Sequence, residues 1–145
     1  MHIHPTWFEL ATTEAIAVYN LTPQIQSWID TLGIQAGQVT VCSQHTTTAI
    51  AINEDEERLL IDIVAYLKKL APPGDRYLHN DLHLRDVPPD EPENAHAHLM
   101  AMTLGSSETI PIVAGKLALG TYQSILFVEL DGPRSRRVLV QAMGQ

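Results

Sequence analysis

Alternation of hydrophobic and polar residues, together with β-branched and aromatic side chains, is typical of strands that bury one face. In the N-terminal half these patterns predict strands over residues 6–11, 15–19, 38–44 and 47–53, with a turn at 12–14. In the C-terminal half they predict strands over 109–113, 117–119, 121–129 and 137–141, with a turn at 114–116. Gly120 lies inside this second pattern and predicts a bulge or a close approach of the backbone.

Two short stretches have helical patterns. The first begins with Thr22 as the expected N-cap and Pro23 in the first helical position, and it ends before Gly33. The other is expected over residues 95–103, with Asn94 as a possible cap and a glycine after its end. Its Ala-, Leu- and Met-rich composition favours a helix.

The longest helix is predicted over residues 55–70. Acidic residues fill its first turn, Lys68 and Lys69 fill its last, and a Pro-Pro-Gly sequence ends it. Asn53 and Glu54 precede this helix, and their simplest role is its cap and its first-turn charge. The apolar stripe is expected to pack in the core and consists of Leu59, Leu60, Ile63, Val64, Leu67 and Leu70.

These elements predict one α+β domain over residues 1–145, dominated by antiparallel strands, with two or three helices. A chain of 145 residues has the usual size of one domain, and it contains no internal repeat and no linker. Residues 75–93 depart from the regular patterns, because they form a long polar stretch with several prolines. Such a loop is either disordered or functional, and its histidines favour a function.

The composition limits the partners that the protein can have. The formal net charge of −8 argues against nonspecific binding of nucleic acid, although it allows a local basic pocket. Cys42 is the only cysteine, so no disulfide forms within the chain and cysteine-rich zinc motifs are excluded. The chain has neither a transmembrane segment nor a signal-peptide pattern, and we therefore expect a cytoplasmic protein without a membrane partner.

Histidine is the residue type that most strongly suggests chemistry here, because it ligates metals and exchanges protons near neutral pH. Five of the seven histidines lie at positions 45, 79, 83, 96 and 98, but no compact motif such as HExxH joins them. His96 and His98 are two residues apart on a predicted helix and therefore point about 200° apart. Either one of them faces a site, or both lie on the helix surface.

Two further segments have alternative interpretations. Thr46, Thr47 and Thr48 follow His45 and are either strand-forming residues or hydroxyls that line a site. Residues 131–137, with the sequence DGPRSRR, hold three of the nine basic side chains. They form either an anion site, because arginine matches phosphate oxygens, or an exposed hairpin with solvated arginines.

Two long motifs resemble those of the YjbQ family. QHTTTAIAINEDEE, at residues 44–57, is similar to the family's HTSASLTINE-type motif. Residues 92–140 are similar to its second signature, in which an Ala-His pair is followed by LG.S.TIP, G.LALGTWQ.I and an acidic-GPR-R.V segment. The resemblance covers nearly the whole chain. One departure is Tyr122, where the family more often has tryptophan, which is a conservative aromatic change.

The resemblance implies a β-sandwich-like α+β fold assembled as a homotrimer. It also implies a weak, secondary thiamine-phosphate synthase activity, in which a pyrimidine methyl diphosphate is joined to a thiazole phosphate and pyrophosphate is released. The expected partner is therefore a small phosphorylated molecule. The competing interpretation is a protein that binds a metal or a small ligand without turnover.

The resemblance also implies the site residues. His45 matches the histidine of the first motif, His98 that of the Ala-His pair, and His79 a histidine ahead of an acidic loop. Glu129 and Arg134 match the acidic and GPR positions. The expected catalytic residues are therefore His45, Glu129 and Arg134.

A metal site is compatible with these residues. Three neutral imidazoles, from His45, His79 and His98, would leave a fourth position open on a divalent metal such as zinc or magnesium. The metal would polarise a phosphate oxygen, and Arg134 or Arg136 would bind the leaving diphosphate. We expect the pocket to lie at or near a contact between subunits.

Overall fold

Eight strands in two antiparallel sheets form the framework of the structure, a computed structural model that describes residues 1–145. The strands are β1 (His2–Ala11), β2 (Ala17–Asn20), β3 (Ala36–Ser43), β4 (Thr48–Asn53), β5 (Ser107–Val113), β6 (Lys116–Leu117), β7 (Ser124–Glu129) and β8 (Ser135–Gly144). The helices are α1 (Thr22–Leu32), α2 (Glu57–Leu70) and α3 (Ala95–Leu104), and short 3-10 turns lie at Leu78–Asn80 and Leu82–Leu84. The predicted α+β class, with antiparallel strands and three helices, is confirmed.

The larger sheet has the strand order β1–β8–β3–β5–β6, and the smaller sheet has the order β2–β7–β4. All paired strands are antiparallel. The first two strands of the chain do not pair with each other, because β1 pairs with β8 whereas β2 pairs with β7. The chain therefore changes sheet at every connection between successive strands except the one from β5 to β6.

The side chains of β7 divide between two hydrophobic cores, as the alternation along a strand requires. Ile125 and Phe127 pack into a core with residues of the larger sheet and of α1. Val128 packs into a second core with residues of α2 and α3, as does Leu130 directly after the end of the strand. The smaller sheet therefore has the larger sheet on one face and two helices on the other.

The first helix is found where it was predicted, but the predicted cap was wrong. Leu21 occupies the N-cap position, and α1 has no side-chain cap. The Thr22 hydroxyl instead accepts a hydrogen bond of 2.7 Å from the N–H of Ile125, which fastens the start of α1 to β7. Gly33 ends the helix with a φ of 69°, a left-handed conformation that glycine adopts without a Cβ clash.

The long helix α2 also begins later than predicted. Its cap is Glu56, whose carboxylate accepts hydrogen bonds from two first-turn N–H groups, so Asn53 and Glu54 do not cap it. The predicted stripe is only partly buried, since Leu67 is the one fully buried member and Leu70 is 45% exposed. The helix covers the edge of the second core rather than its centre.

The prediction for Gly120 was also wrong. This residue lies outside any strand, in the connection between β6 and β7, where its N–H donates to the side chain of Gln123 at 2.8 Å. A Cβ at Gly120 would meet only the flexible Gln123 side chain, so no backbone segment approaches closely. No helix of the structure is both long and apolar enough to cross a membrane.

Candidate functional site

A buried ion pair connects the two sheets. Glu129 ends β7 and Arg136 lies near the start of β8, and their side chains are 0% and 5% exposed. Arg136 donates from Nε to Glu129 Oε2 at 2.8 Å and from Nη2 to Oε1 at 2.6 Å. Thr12 Oγ1 also donates to Oε2, the Asp131 N–H donates to Oε1, and Thr47 Oγ1 accepts from Arg136 Nη2. The pair thus ties together the ends of β1 and β7 and the starts of β4 and β8.

The contacts of this pair give Glu129 and Arg136 structural roles. Burial by itself would raise the pKa of the Glu129 carboxyl, but the hydrogen bonds from Arg136, the Asp131 N–H and Thr12 outweigh it and lower that pKa. Both carboxylate oxygens are occupied by these donors, so Glu129 has no free atom for a substrate, although a catalytic role was expected. Arg136, expected as a possible ligand of the diphosphate, is neutralised in the same way.

Arg137 follows Arg136 on β8, and its side chain points to the opposite face of the strand. Its backbone positions His45, the first candidate histidine. Arg136 is buried and Arg137 is exposed, as strand alternation requires. The Arg137 N–H donates to His45 Nε2 at 2.9 Å. Because this nitrogen accepts a hydrogen bond, it is unprotonated, and the neutral ring has its proton on Nδ1. Burial and the neighbouring Arg136 charge lower the pKa of His45, so the ring is neutral at pH 7.

A polar cavity of about 650 Å³ lies between the β3–β4 connection and α3. His45 and His98 both line it, so the structure brings together two of the predicted site residues. The remaining wall consists mainly of hydroxyl-bearing and small residues: Ser43, Gln44, Thr46, Thr48, Ala101, Met102, Gly105 and Ser106. No lysine, arginine or carboxylate lines this cavity, and it therefore offers neutral hydrogen-bonding groups.

His79 lies beside His98 but does not line the cavity. The two rings make an edge-to-face contact with centroids 4.7 Å apart. Burial and the proximity of His79 lower the pKa of His98, although Asp131 acts in the opposite direction. His79 Nε2 is buried without a hydrogen-bond partner. Within the loop that holds His79, Arg85 Nη1 donates a hydrogen bond to the His79 carbonyl at 2.8 Å.

The helix predicted for His96 and His98 is confirmed, but neither ring is freely exposed. Both side chains are half-buried, and burial lowers the pKa of His96 as well. His96 Nδ1 is buried without a partner. Only His98 lines the cavity. At the start of this helix Asn94 makes no capping bond; its Nδ2 donates to Asp131 instead, at 2.8 Å.

One chain does not complete the predicted metal site. No three or more side chains of His, Cys, Asp and Glu are placed so that they could share one metal ion. His98 is the common neighbour, since it shares a cavity with His45 and a ring contact with His79. A divalent ion held by His45, His79 and His98 together therefore stays a prediction, because one chain does not place the three imidazoles around a single point.

Arg134, the remaining predicted catalytic residue, lies in the connection from β7 to β8. Its Nε donates to the Asp131 carbonyl at 2.9 Å and its Nη2 pairs with the Asp131 carboxylate at 3.0 Å. The side chain is 42% exposed and does not line the cavity that contains His45. Asp131, two residues after Glu129, thus holds this arginine within the connection between the two sheets.

The three threonines after His45 have different roles. Thr47 and Thr48 are buried, whereas Thr46 is exposed at the cavity mouth. Thr47 accepts a hydrogen bond from the buried Arg136, and the hydroxyls of Thr48 and Ser43 are hydrogen-bonded to each other. Both interpretations of the segment therefore apply, because it starts β4 and also contributes hydroxyls to the cavity wall.

Sequence reasoning included Arg137 in the candidate anion site at residues 131–137 but did not distinguish it from the other two arginines. The predicted strand began at residue 137, and this start left the two preceding arginines in a hairpin. Strand β8 begins at Ser135, so Arg136 faces inward with Val138 and Val140. The alternation of inward-facing apolar residues can be extended backwards from Val138. It then predicts that Arg136 faces inward and Arg137 faces outward, which distinguishes the two arginines.

Comparison with known proteins identifies relatives along the whole chain. The family model for UPF0047 protein YjbQ-like matches residues 6–145. A UPF0047 protein of Archaeoglobus fulgidus is 43% identical over 134 residues, which are 92% of this chain and 97% of that protein. A UPF0047 protein of Methanothermobacter thermautotrophicus is 38% identical over 145 residues, covering 100% of this chain and 95% of its own length.

Solved structures have the same fold. A hypothetical protein from Aeropyrum pernix K1 superposes with a TM-score of 0.89 at 40% identity, covering 98% of this chain and 99% of its own. A YbjQ-like protein of unknown function from Sulfolobus solfataricus P2 also has a TM-score of 0.89, at 33% identity and with 99% of both chains covered.

The ion pair predicts a specific pattern of stability. Arg136→Met leaves the Glu129 carboxylate buried without its cation and should lower the free energy of unfolding by about 3–5 kcal/mol. The double variant Glu129→Met with Arg136→Met removes both charges and should regain most of this loss. Urea unfolding measures both, with Arg58→Met on the exposed face of α2 as the matched control. A single variant as stable as the control would contradict the structural role.

The lowered pKa values of His45 and His98 predict a dependence of stability on pH. Both rings should titrate below 6.5 in an NMR titration of the folded chain. The unfolded chain then binds more protons below pH 6.5, so stability is fully present above that pH and declines as pH falls towards the folded-state values. Midpoints at or above 6.5 for both rings would refute the neutral cavity.

Proposed function

This chain belongs to the UPF0047 family of YjbQ-like proteins, and we propose that it binds a small phosphorylated molecule in the cavity beside His45. The reaction that fits best is of the thiamine-phosphate synthase type, as the motif resemblance implies. The observation that carries this proposal is the pair of cavity histidines, with His45 fixed in its neutral form by the Arg137 N–H.

The chemistry of this reaction needs no general base in the cavity. The thiazole nitrogen forms a bond to the methylene carbon of the pyrimidine, the bond from that carbon to the diphosphate oxygen breaks, and the electron pair leaves with pyrophosphate. No proton has to be removed in this step. The site must therefore position the two molecules and stabilise the charge that develops on the leaving oxygen.

The residues of the cavity have separate tasks in this proposal. His45, with its proton on Nδ1, donates a hydrogen bond to the substrate, and its orientation is fixed in advance by the backbone of β8. His98 supplies a second imidazole from α3. The hydroxyls of Thr46 and Ser106 bind the polar atoms of the two reactants.

Assembly and metal binding are linked in this proposal. We propose a homotrimer of sandwich-like subunits whose cavities lie at subunit contacts, since one chain alone does not supply three ligands to a metal ion. A neighbouring subunit would then complete a zinc or magnesium site that begins with His98. Light scattering together with elemental analysis of the purified protein tests this: a monomer, or a trimer without stoichiometric metal, would refute the link.

The second candidate function is ligand binding without turnover. The absence of cationic and carboxylate side chains from the cavity wall favours it, because such a wall binds a polar molecule without strongly activating it. Formation of thiamine phosphate from the two phosphorylated precursors separates the two functions. Saturable binding of the pyrimidine methyl diphosphate with no product would leave binding as the function.

The two helix histidines predict a difference between matched variants. His98→Ala should lower product formation about 10-fold or more, because it removes a cavity imidazole and its contact with His79. His96→Ala, two residues away on the same helix, should leave product formation within a few-fold of the parent protein. Equal losses in both variants would contradict the assignment of His98 to the site, as would two variants that are as active as the parent.

A further inference from the structure

Most basic side chains of this acidic protein are already paired with carboxylates. Five of the nine are in salt bridges, namely Arg76, Arg85, Lys116, Arg134 and Arg136. Three of the remaining four lie on α2: Arg58, Lys68 and Lys69. Arg137 is the fourth, and it is therefore the one cation beside His45 that has no carboxylate partner.

Arg137 lines a second depression, which shares His45 with the cavity at α3. This groove has a volume of about 430 Å³ and lies where the end of β1 meets the start of β8. Its lining consists of Glu9, Leu10, Ala11, His45, Ser135, Arg136 and Arg137. His45 lines both the groove and the cavity, so a ligand that contacts this ring can extend into either space.

The Arg137 side chain is held in place although it makes no ion pair. Its guanidinium lies over the Trp7 ring, 5.1 Å from the ring centroid. Trp7 Nε1 in turn donates to Gln44 Oε1 at 3.2 Å, next to His45 in the sequence. A guanidinium that stacks on an aromatic face keeps its N–H edges free for a bidentate contact with phosphate oxygens. The side chain is thus oriented before any ligand binds.

The carboxylate of Glu9 also lines this groove, and its negative charge repels an anion there. It is the partner of Arg137 in the β1–β8 register, so both side chains lie on the outer face of the larger sheet. No ion pair joins them, because the guanidinium lies against Trp7 instead. Arg136 also borders the groove, but Glu129 neutralises it.

We propose that the groove beside Arg137 is the subsite for the phosphate or diphosphate group of the ligand, with the Arg137 guanidinium and the His45 ring as its two main contacts. The inference rests on the proposed function, because it divides that ligand between two spaces. The charged group lies in the groove with Arg137 and Ser135. The organic part lies in the polar cavity with His98.

Binding of inorganic pyrophosphate to the full chain, measured by calorimetry, tests this subsite. Arg137→Gln keeps the backbone N–H that holds His45, and it should weaken binding about 10-fold or more, the usual effect of losing a charge-assisted hydrogen bond. Arg58→Gln removes an unpaired arginine from α2 and should change binding less than two-fold. Glu9→Gln removes the opposing carboxylate and should tighten binding. Circular dichroism and urea unfolding confirm that each variant folds.

A second titration distinguishes two sources of the charged group, namely free pyrophosphate and the diphosphate of the pyrimidine substrate. The pyrimidine methyl diphosphate should bind more tightly than pyrophosphate, and Arg137→Gln should weaken both by a similar factor. The subsite is refuted if the parent protein does not bind pyrophosphate at millimolar concentration, or if Arg137→Gln binds it as well as the parent does. It is also refuted if Arg58→Gln weakens binding as much as Arg137→Gln, because the attraction is then nonspecific.

The experiments distinguish a failure of the subsite from a failure of the proposed function. If His98→Ala abolishes product formation while Arg137→Gln binds pyrophosphate normally, the synthase proposal stands and the subsite fails. If Arg137→Gln loses pyrophosphate but the parent forms no thiamine phosphate, the subsite stands and the synthase proposal fails.

Discussion

The ion pair between Glu129 and Arg136 is the contact on which the rest of the site depends. It connects the last residue of β7, in the smaller sheet, to β8 in the larger sheet, and both side chains are almost fully buried. A buried charge that lost its partner would cost several kcal/mol, so the pair fixes how the ends of the two sheets meet. Thr12 and Thr47 complete its hydrogen bonds and bring the end of β1 and the start of β4 to the same point.

Function follows from this constraint through the alternation of side chains along β8. Arg136 is committed to the core, so the side chain of Arg137 points outward. The backbone N–H of Arg137 donates to His45. The same short segment therefore stabilises the fold and presents a neutral imidazole beside an unpaired guanidinium. The net charge of the chain is −8, and few of its other cations are free to attract a phosphate. A phosphate should therefore bind selectively at this local arrangement.

The sequence predicted the elements better than the contacts. Alternation and helical spacing identified the strands and helices, and the motifs identified the family, because local patterns and long ordered motifs are both properties of the chain itself. The roles of Glu129, Arg134 and Arg136 could not be predicted, since they depend on which carboxylate meets which arginine across two sheets. The predicted caps Thr22 and Asn53 were wrong for a similar reason. The Thr22 hydroxyl accepts a hydrogen bond from Ile125 of β7, and the Glu56 carboxylate caps α2 in place of Asn53.

A crystal structure of the full chain grown with inorganic pyrophosphate is the most direct test of this division between the two arginines. We predict diphosphate oxygens at about 2.7–2.9 Å from the Arg137 guanidinium and within reach of His45, while Arg136 stays paired with Glu129. Pyrophosphate bound to Arg134, or to Arg136 with the ion pair to Glu129 opened, would contradict the account.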